Sequence, residues 1–356
     1  MKIAILSLYS RFGNSTGDMV QAQKTADALK YIGQDVLRCY LNPADGIIFD
    51  ACGNRLGSWE FVMNDMDIIH AMVPFRFIKA LPKVKAKFVC YTVFWKSWAC
   101  LKVAVRNKGR LDMSDVKDIV KVLCAKFGLK ACRLYNGYDL LLANSEDEAR
   151  KVAEFCKIKE SARIETVPNA IDELSFEKNK IVRLDILPKD DYIVVPAFFA
   201  PRKNQMGLIR ALRDVDLNIV FLGDGSMLEN CKRRASRSMT FLGKVEHGSE
   251  LFWSALAHAR VLCLPSNCET PGIAGLEGAS VGARPVVPYE GGTTEYYGWD
   301  AEYHDPTSDV SLKNAVLRAW NRGRLSCAEA EKYRRATWNH VARVLVEKYK
   351  ALCRYE

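Results

Sequence analysis

No run of apolar residues in this 356-residue chain approaches the roughly 18–20 needed to cross a bilayer. Met1–Leu8 is briefly apolar, but it lacks a basic leader and a cleavage site and runs into a Gly/Asn/Ser turn. It reads as a buried first strand and not as a secretion signal. Histidine is scarce: five residues (70, 247, 258, 304 and 340), too dispersed to predict a metal site. The twelve cysteines form no CxxC pair and no zinc-type spacing. Most lie singly in apolar runs, as Cys263 does, which predicts reduced, buried thiols in a cytoplasmic protein. Internal repeats and low-complexity segments are also missing. What remains, 49% hydrophobic, 26% charged and 10% aromatic, excludes wholesale disorder and predicts an ordinary core with length for two domains.

The net charge of +10 is unevenly spread. From Arg76 to Arg133 fifteen Lys/Arg face three acids, a local excess of +12 that leaves the rest slightly acidic. Phe75, Phe77, Phe88, Tyr91, Phe94, Trp95 and Trp98 are interleaved there. Such a surface suits a polyanion or an anionic membrane; the alternative is a solvated helix face over core aromatics.

Strands and helices alternate along the chain. Lys2–Leu8, Asp35–Tyr40, Asp67–Ala71, Lys87–Val93 and Leu140–Ala143 read as strands, with a helix over 18–32 ended by Gly33. Another helix starts after Ser145, where Glu148 completes a capping-box pattern. The pattern restarts after Asn169 with strands over Asp190–Pro196, Asn218–Leu222, Arg260–Pro265 and Arg284–Pro288 and helices over 205–212 and 272–281. From Ala328 one long basic amphipathic helix is predicted. This order predicts an α/β fold of two Rossmann-like domains facing an interdomain cleft. The expected divisions are residues 1–175 on the acceptor side, 176–327 on the nucleotide-sugar donor side, and a helix 328–356 packing back on the first domain.

The strongest constellation is the stretch from Pro265 to Glu277. Glu269 sits in a loop after a strand, and Glu277 lies in the second turn of the next helix. Pro271 and Gly272 open that helix, whose free N–H groups and positive end suit a diphosphate. A carboxylate in the helix can accept ribose hydroxyls, and one in the loop can meet sugar hydroxyls. Two acids alone are equally well a cap and an exposed helix residue.

The surrounding elements resemble the donor domain of the retaining GT-B glycosyltransferases, in particular glycosyltransferase family 4. The Glu-x7-Glu element matches Glu269 and Glu277, and the phosphate clamp matches Ala200-Pro201-Arg202-Lys203-Asn204. The turn 221–225, strands over 241–245 and 282–287, and Gly291-Gly292-Thr293-Thr294-Glu295 follow in the family's order. The resemblance covers residues 139–298 well and the N-terminal half loosely. It implies Arg202 and Lys203 on the donor diphosphate, stabilising the leaving group as negative charge builds. Glu269 would orient the transferred sugar with the backbone of Thr270, Pro271, Gly272 and Ile273, and Glu277 would hold the ribose. Gly223 and Gly225 would let backbone approach the nucleotide, or else form a plain turn. In the first half, Gly17 and Asp18 fall in the counterpart of the glycine-rich donor loop, with one glycine where a pair is usual.

Two positions depart from the family pattern. Phe198 stands where many members carry an arginine, and Phe94 where many carry a histidine after the strand. Phe94 and Trp95 then become a stacking wall on the acceptor side, with His70 the nearest polar candidate; the alternative for each is core packing. The resemblance implies a retaining transfer from a nucleotide-diphosphate sugar to an acceptor hydroxyl with an α-linkage, without metal or cofactor. The acceptor would be a glycan or lipid-linked glycan, with 76–133 docking on an anionic membrane or glycan. The protein would then be cytoplasmic, peripheral at the inner membrane face. Two other readings are sugar transfer to a modified base in DNA, with 76–133 tracking phosphates, and a non-catalytic nucleotide-sugar binding relative.

Overall fold

The computed structural model describes residues 1–13, 17–75, 80–92, 105–107, 135, 137–156, 163–172 and 181–354. Among them the chain forms two compact units. The first takes residues up to 92, 135–170 and the C-terminal residues from Thr337; the second takes 105–107 and 171–336. Among the described residues no helix is long and apolar enough to cross a membrane.

The first unit is built on an eight-stranded sheet of β1 (Lys2–Leu8), β2 (Asp35–Asn42), β3 (Ile47–Asp50), β4 (Arg55–Ser58), β5 (Ile68–Ala71), β6 (Lys87–Tyr91), β7 (Leu140–Ala143) and β8 (Arg163–Thr166). Its order is β4-β3-β2-β1-β5-β6-β7-β8. The strands from β2 through β8 in that order are parallel, and β1 and β7 read as continuous apolar runs because both faces are covered: Ile3, Ala4, Ile5 and Leu6 are all fully buried. The edge differs from the all-parallel expectation, since β3 and β4 pair antiparallel. Asp50 Oδ1 forms their turn by accepting from the Cys52 and Asn54 N–H groups, both at 2.8 Å. Helices α1 (Gly17–Tyr31), α2 (Trp59–Met63) and α3 (Glu146–Cys156) complete this part. The capping box expected at α3 is half present. Ser145 Oγ accepts from the Glu148 N–H at 3.1 Å, but Glu148 reaches back to the Asn144 N–H at 2.9 Å.

The second unit has a six-stranded, all-parallel sheet of β9 (Tyr192–Pro196), β10 (Asn218–Leu222), β11 (Met239–Phe241), β12 (Val261–Cys263), β13 (Arg284–Pro288) and β14 (Glu302–His304). The order β11-β10-β9-β12-β13-β14 is the doubly wound 3-2-1-4-5-6 arrangement. Helices α4 (Gln205–Ala211), α5 (Leu228–Lys232), α6 (Glu250–Ala257), α7 (Ile273–Ser280), α8 (Thr293–Tyr297), α9 (Asp309–Arg322) and α10 (Cys327–Arg334) surround it. Alternate strand residues feed two cores: Val194, Val220 and Leu262 meet Trp253 and Leu256 on one face, and Ile193, Ile219 and Val261 meet Leu208 and Val316 on the other. The strand expected over 241–245 instead ends at Phe241, and the chain turns at Gly243 with a φ of 71°. The element that the resemblance places over 282–287 begins as a strand only at Arg284, as the Arg284–Pro288 reading has it, after Gly282 turns with a φ of 95°.

The single C-terminal helix expected from Ala328 is two. After α10 the chain breaks at residues 335–337, and a new helix runs over Trp338–Arg354, with Thr337 Oγ1 accepting from the His340 N–H at 3.4 Å. That last helix packs on α1, and its Tyr349 hydroxyl lies 2.6 Å from His70 Nδ1.

His70, in β5, and His304, in β14, are both buried. Burial pushes His70 from the ordinary 6.5 to about 3 and His304 to about 4. Both stay neutral in the fold at pH 5, whereas unfolded histidine charges below about 6.5. The unfolded chain thus binds more protons in acid, so this stabilisation is complete above pH 6.5 and is lost as the pH falls towards 4 and 3. At pH 4.5 each histidine is expected to cost about 2–3 kcal/mol. Denaturant titrations at pH 7.5 and 4.5 check this: His70→Asn should reduce the stability lost between the two pH values by about 2–3 kcal/mol, and an unchanged pH slope removes His70 from the account.

Candidate active site

In a doubly wound sheet the ligand crevice lies outside the carboxyl ends of the strands, where the order reverses. In the second unit that point falls between β9 and β12, and the loops leaving these strands carry Lys203 and Glu269. After β9 a short 3₁₀ turn, Pro201–Lys203, brings Lys203 Nζ to 2.5 Å from Glu269 Oε1. The side chains are 16% and 9% exposed, so the pair sits at the mouth of a buried region where charge attraction is weakly screened. The same loops are tied by the backbone, Asn267 N–H to Arg202 O at 2.9 Å. The Arg202 side chain is exposed.

Asn204 follows Lys203 in the left-handed region, at φ 55°, the one non-glycine residue there among the described residues. Its side chain explains the position: Asn107 Nδ2 donates to Asn204 Oδ1 at 2.7 Å and to Pro201 O at 3.1 Å. Beside it Asp309 is paired with Arg106 and, at 2.9 Å, with Arg210. Residues far apart in sequence therefore brace the turn that presents Lys203.

The β12–α7 loop is fixed from three sides. The Glu269 N–H donates to Glu290 O at 3.2 Å. Gly291 packs so closely that an added Cβ would lie 2.1 Å from Glu269 O and 2.8 Å from Cys268 Sγ. The buried Tyr297 hydroxyl lies 3.2 Å from Pro271 O and 3.1 Å from Gly272 O. Gly272 caps α7 at φ 81°, and the carboxylate of Glu269 lies against it: an added Cβ would meet Glu269 Oε2 at 3.3 Å. The first-turn N–H groups and the positive end of α7 thus open beside the Lys203–Glu269 pair. Further along α7, Glu277 is 2% exposed, and its Oε1 lies 2.6 Å from His247 Nε2.

The remaining predicted residues fall as follows. Thr270 and Ile273 flank Pro271 and Gly272 in the loop and the first turn of α7. Gly223 and Gly225 have φ of 141° and 144°, and added Cβ atoms would lie 2.3 Å from Ala197 O and 2.4 Å from Phe199 O. The chain's own backbone therefore requires glycine at both. Gly17 and Asp18 open α1 in the first unit. His70 belongs to the core of that unit, fully buried against Tyr91 and Tyr349, so its ring faces the interior and not an acceptor. Phe94, Trp95 and most of 76–133 lie outside the described residues. Among the described residues no His/Cys/Asp/Glu cluster could hold a metal ion, and eight cysteines are in no disulfide, with Cys52, Cys327 and Cys353 exposed. Sequence reasoning missed Tyr297, His247 and Asn107. The position of His247 just beyond the carboxyl end of β11 was the one available signal.

The two sheets, parallel throughout in the second unit and parallel apart from the β3–β4 edge in the first, are the two Rossmann-like domains of a GT-B glycosyltransferase fold. Residues 176–330, which hold Lys203, Glu269 and Glu277, match the family described as glycosyl transferases group 1. The chain is similar in structure to sucrose-phosphate synthase from Thermosynechococcus elongatus, at 15% identity and a TM-score of 0.69, covering 99% of each chain. It is similar to HepE of Anabaena, solved in complex with UDP, at 15% identity and a TM-score of 0.65 over 99% of this chain and 100% of that one. A glycosyltransferase from Rickettsia africae gives 15% identity and 0.65 over 100% and 99%. None of the curated protein sequences matches the chain.

Proposed function

We propose that this protein is a retaining glycosyltransferase that moves a sugar from a nucleotide-diphosphate sugar to an acceptor hydroxyl, forming an α-linkage to a glycan or lipid-linked glycan. The observation that carries the reading is the meeting of Lys203 with Glu269 beside the start of α7, at the switch point of the donor-side sheet. Lys203, with Arg202 from the same turn and the N–H groups of α7, supplies positive charge for a diphosphate. When the C1–oxygen bond to the diphosphate breaks, that charge stabilises the departing nucleoside diphosphate. The acceptor oxygen bonds to C1 on the same face, and its proton passes to the leaving phosphate oxygen. Charge on the leaving group is met by side chains and backbone, so the reading requires neither a metal nor a cofactor. Glu269 orients the sugar hydroxyls and Glu277 the ribose. The crystal structure of HepE contains UDP, which makes uridine diphosphate sugars the first donors to try.

The test incubates the protein with UDP-, GDP- and ADP-sugars and mono- to oligosaccharide acceptors, measuring nucleoside diphosphate release and the anomeric configuration of the product. One donor class should be consumed, and an α-donor should give an α-product. A β-product overturns retention. Absence of both binding and turnover across the panel overturns the transferase reading.

A further inference from the structure

We infer that His247 is the positioning residue that makes the donor site selective for ribonucleotides, by fixing the carboxylate of Glu277. The inference rests on the proposed role of Glu277 at the ribose. Glu277 lies on α7 with 2% of its side chain exposed, and a carboxylate that deep needs a donor. His247 Nε2 provides it, 2.6 Å from Oε1. An ionised carboxylate only accepts, so Nε2 carries the proton and donates.

The imidazole is itself held in place. His247 leaves the loop between β11 and α6, where Ser249 N–H donates to Glu246 O at 3.2 Å and Gly248 turns at φ 79°. Its ring lies 4.9 Å from that of Phe252 on α6, and Ser249 Oγ caps that helix by accepting from Phe252 N–H at 3.2 Å. One side of the ring is thus fixed by α6, and one nitrogen by Glu277. Yet the side chain is 49% exposed, which leaves the pair within reach of a ligand. A glutamate turns about three side-chain bonds. Anchoring Oε1 removes most of that freedom and aims the carboxylate before a ligand arrives. A preorganised acceptor discriminates for a hydroxyl because a ligand without it leaves the buried carboxylate poorly satisfied.

The experiment compares wild type, His247→Ala and His247→Gln by calorimetric titration with UDP, GDP and ADP, then with the 2′-deoxy and 3′-deoxy forms of whichever binds best. Hydrolysis of the matching sugar nucleotide supplies kcat and KM. Wild type should prefer the ribo form over at least one deoxy form by about a hundredfold. His247→Ala should reduce that preference about tenfold and raise KM, with kcat within about twofold of wild type. His247→Gln, whose amide can still donate to Oε1, should restore most of the preference. Equal loss of ribo and deoxy binding in His247→Ala, or no loss, overturns the inference while leaving the transferase reading intact. Failure of wild type to bind any of the three diphosphates overturns the donor-site reading, and this inference with it. Thermal unfolding of both variants identifies a folding defect, and the glutamine variant then decides.

Discussion

Lys203→Ala is expected to lower donor turnover by about a hundred- to a thousandfold, the usual loss when one preorganised group facing developing negative charge is removed. The structure attaches a second consequence to that change. Lys203 is the ion-pair partner of a Glu269 side chain only 9% exposed, and its loss leaves a carboxylate in the loop that opens α7 without its 2.5 Å counter-charge. Removing one member of a poorly hydrated pair costs about 3 kcal/mol, whereas replacing both with uncharged groups of similar size is close to neutral. The double variant Lys203→Met, Glu269→Gln should therefore recover most of the melting temperature lost in Lys203→Ala while remaining without turnover. Steady-state kinetics and calorimetry on the two variants separate the roles. Wild-type kcat in Lys203→Ala would remove the lysine from the mechanism. A double variant no more stable than the single one would show that the pair does not control the loop.

Gly291→Ala should be the most damaging single methyl group in the second unit. The residue sits at φ 106°, and the new Cβ would lie 2.1 Å from the carbonyl oxygen of Glu269, backbone that cannot swing aside as a side chain can. Left-handed strain alone costs about 1–3 kcal/mol, and relieving the overlap moves the segment that carries Glu269. The expected total is about 3–5 kcal/mol, at the exceptional end for point mutants. Gly298→Ala is the control: its φ is 51°, and an added Cβ meets nothing within 4 Å, so only the backbone strain, about 1–3 kcal/mol, remains. Differential scanning calorimetry of both variants provides the comparison. A Gly291→Ala melting temperature no lower than that of Gly298→Ala would refute the close packing.

The strands that could be read from sequence are those buried on both faces. Lys2–Leu8, Leu140–Ala143, Asn218–Leu222 and Arg284–Pro288 are apolar runs between polar or glycine turns, and the structure gives them the expected ends. The hairpin of β3 and β4 and the strand Glu302–His304 were not legible, because they are short, only partly buried and mixed in polarity, with neither an apolar run nor a period to mark them. The break at 335–337 was hidden for a different reason: Arg335, Ala336 and Thr337 are compatible with a continuing helix, and the chain bends there to pack its last helix on α1. The site divides the same way. Lys203, Glu269 and Glu277 were marked by spacing within short ordered elements and by resemblance to a family. His247 meets Glu277 across 30 positions, and Tyr297 meets Pro271 across 26, contacts that arise only once the sheet is assembled. His70 follows a polar start to its strand and read as a group at the rim; all four residues of that strand are buried, and the histidine is inside with them.

Asn107 and Arg106 sit nearly a hundred positions before the turn they brace, yet they pack in the same unit as that turn. The second unit is thus a unit of space and not of sequence. Cutting the gene at residue 171 and expressing the rest would yield every strand of the second sheet but neither of the hydrogen bonds that Asn107 donates to Asn204 and Pro201. Fragment complementation, domain grafting and chimeras with related proteins would need to carry the 105–107 segment along with the Lys203 turn. Homologous exchange of the contiguous stretch alone would transplant Lys203 without the scaffold that aims it.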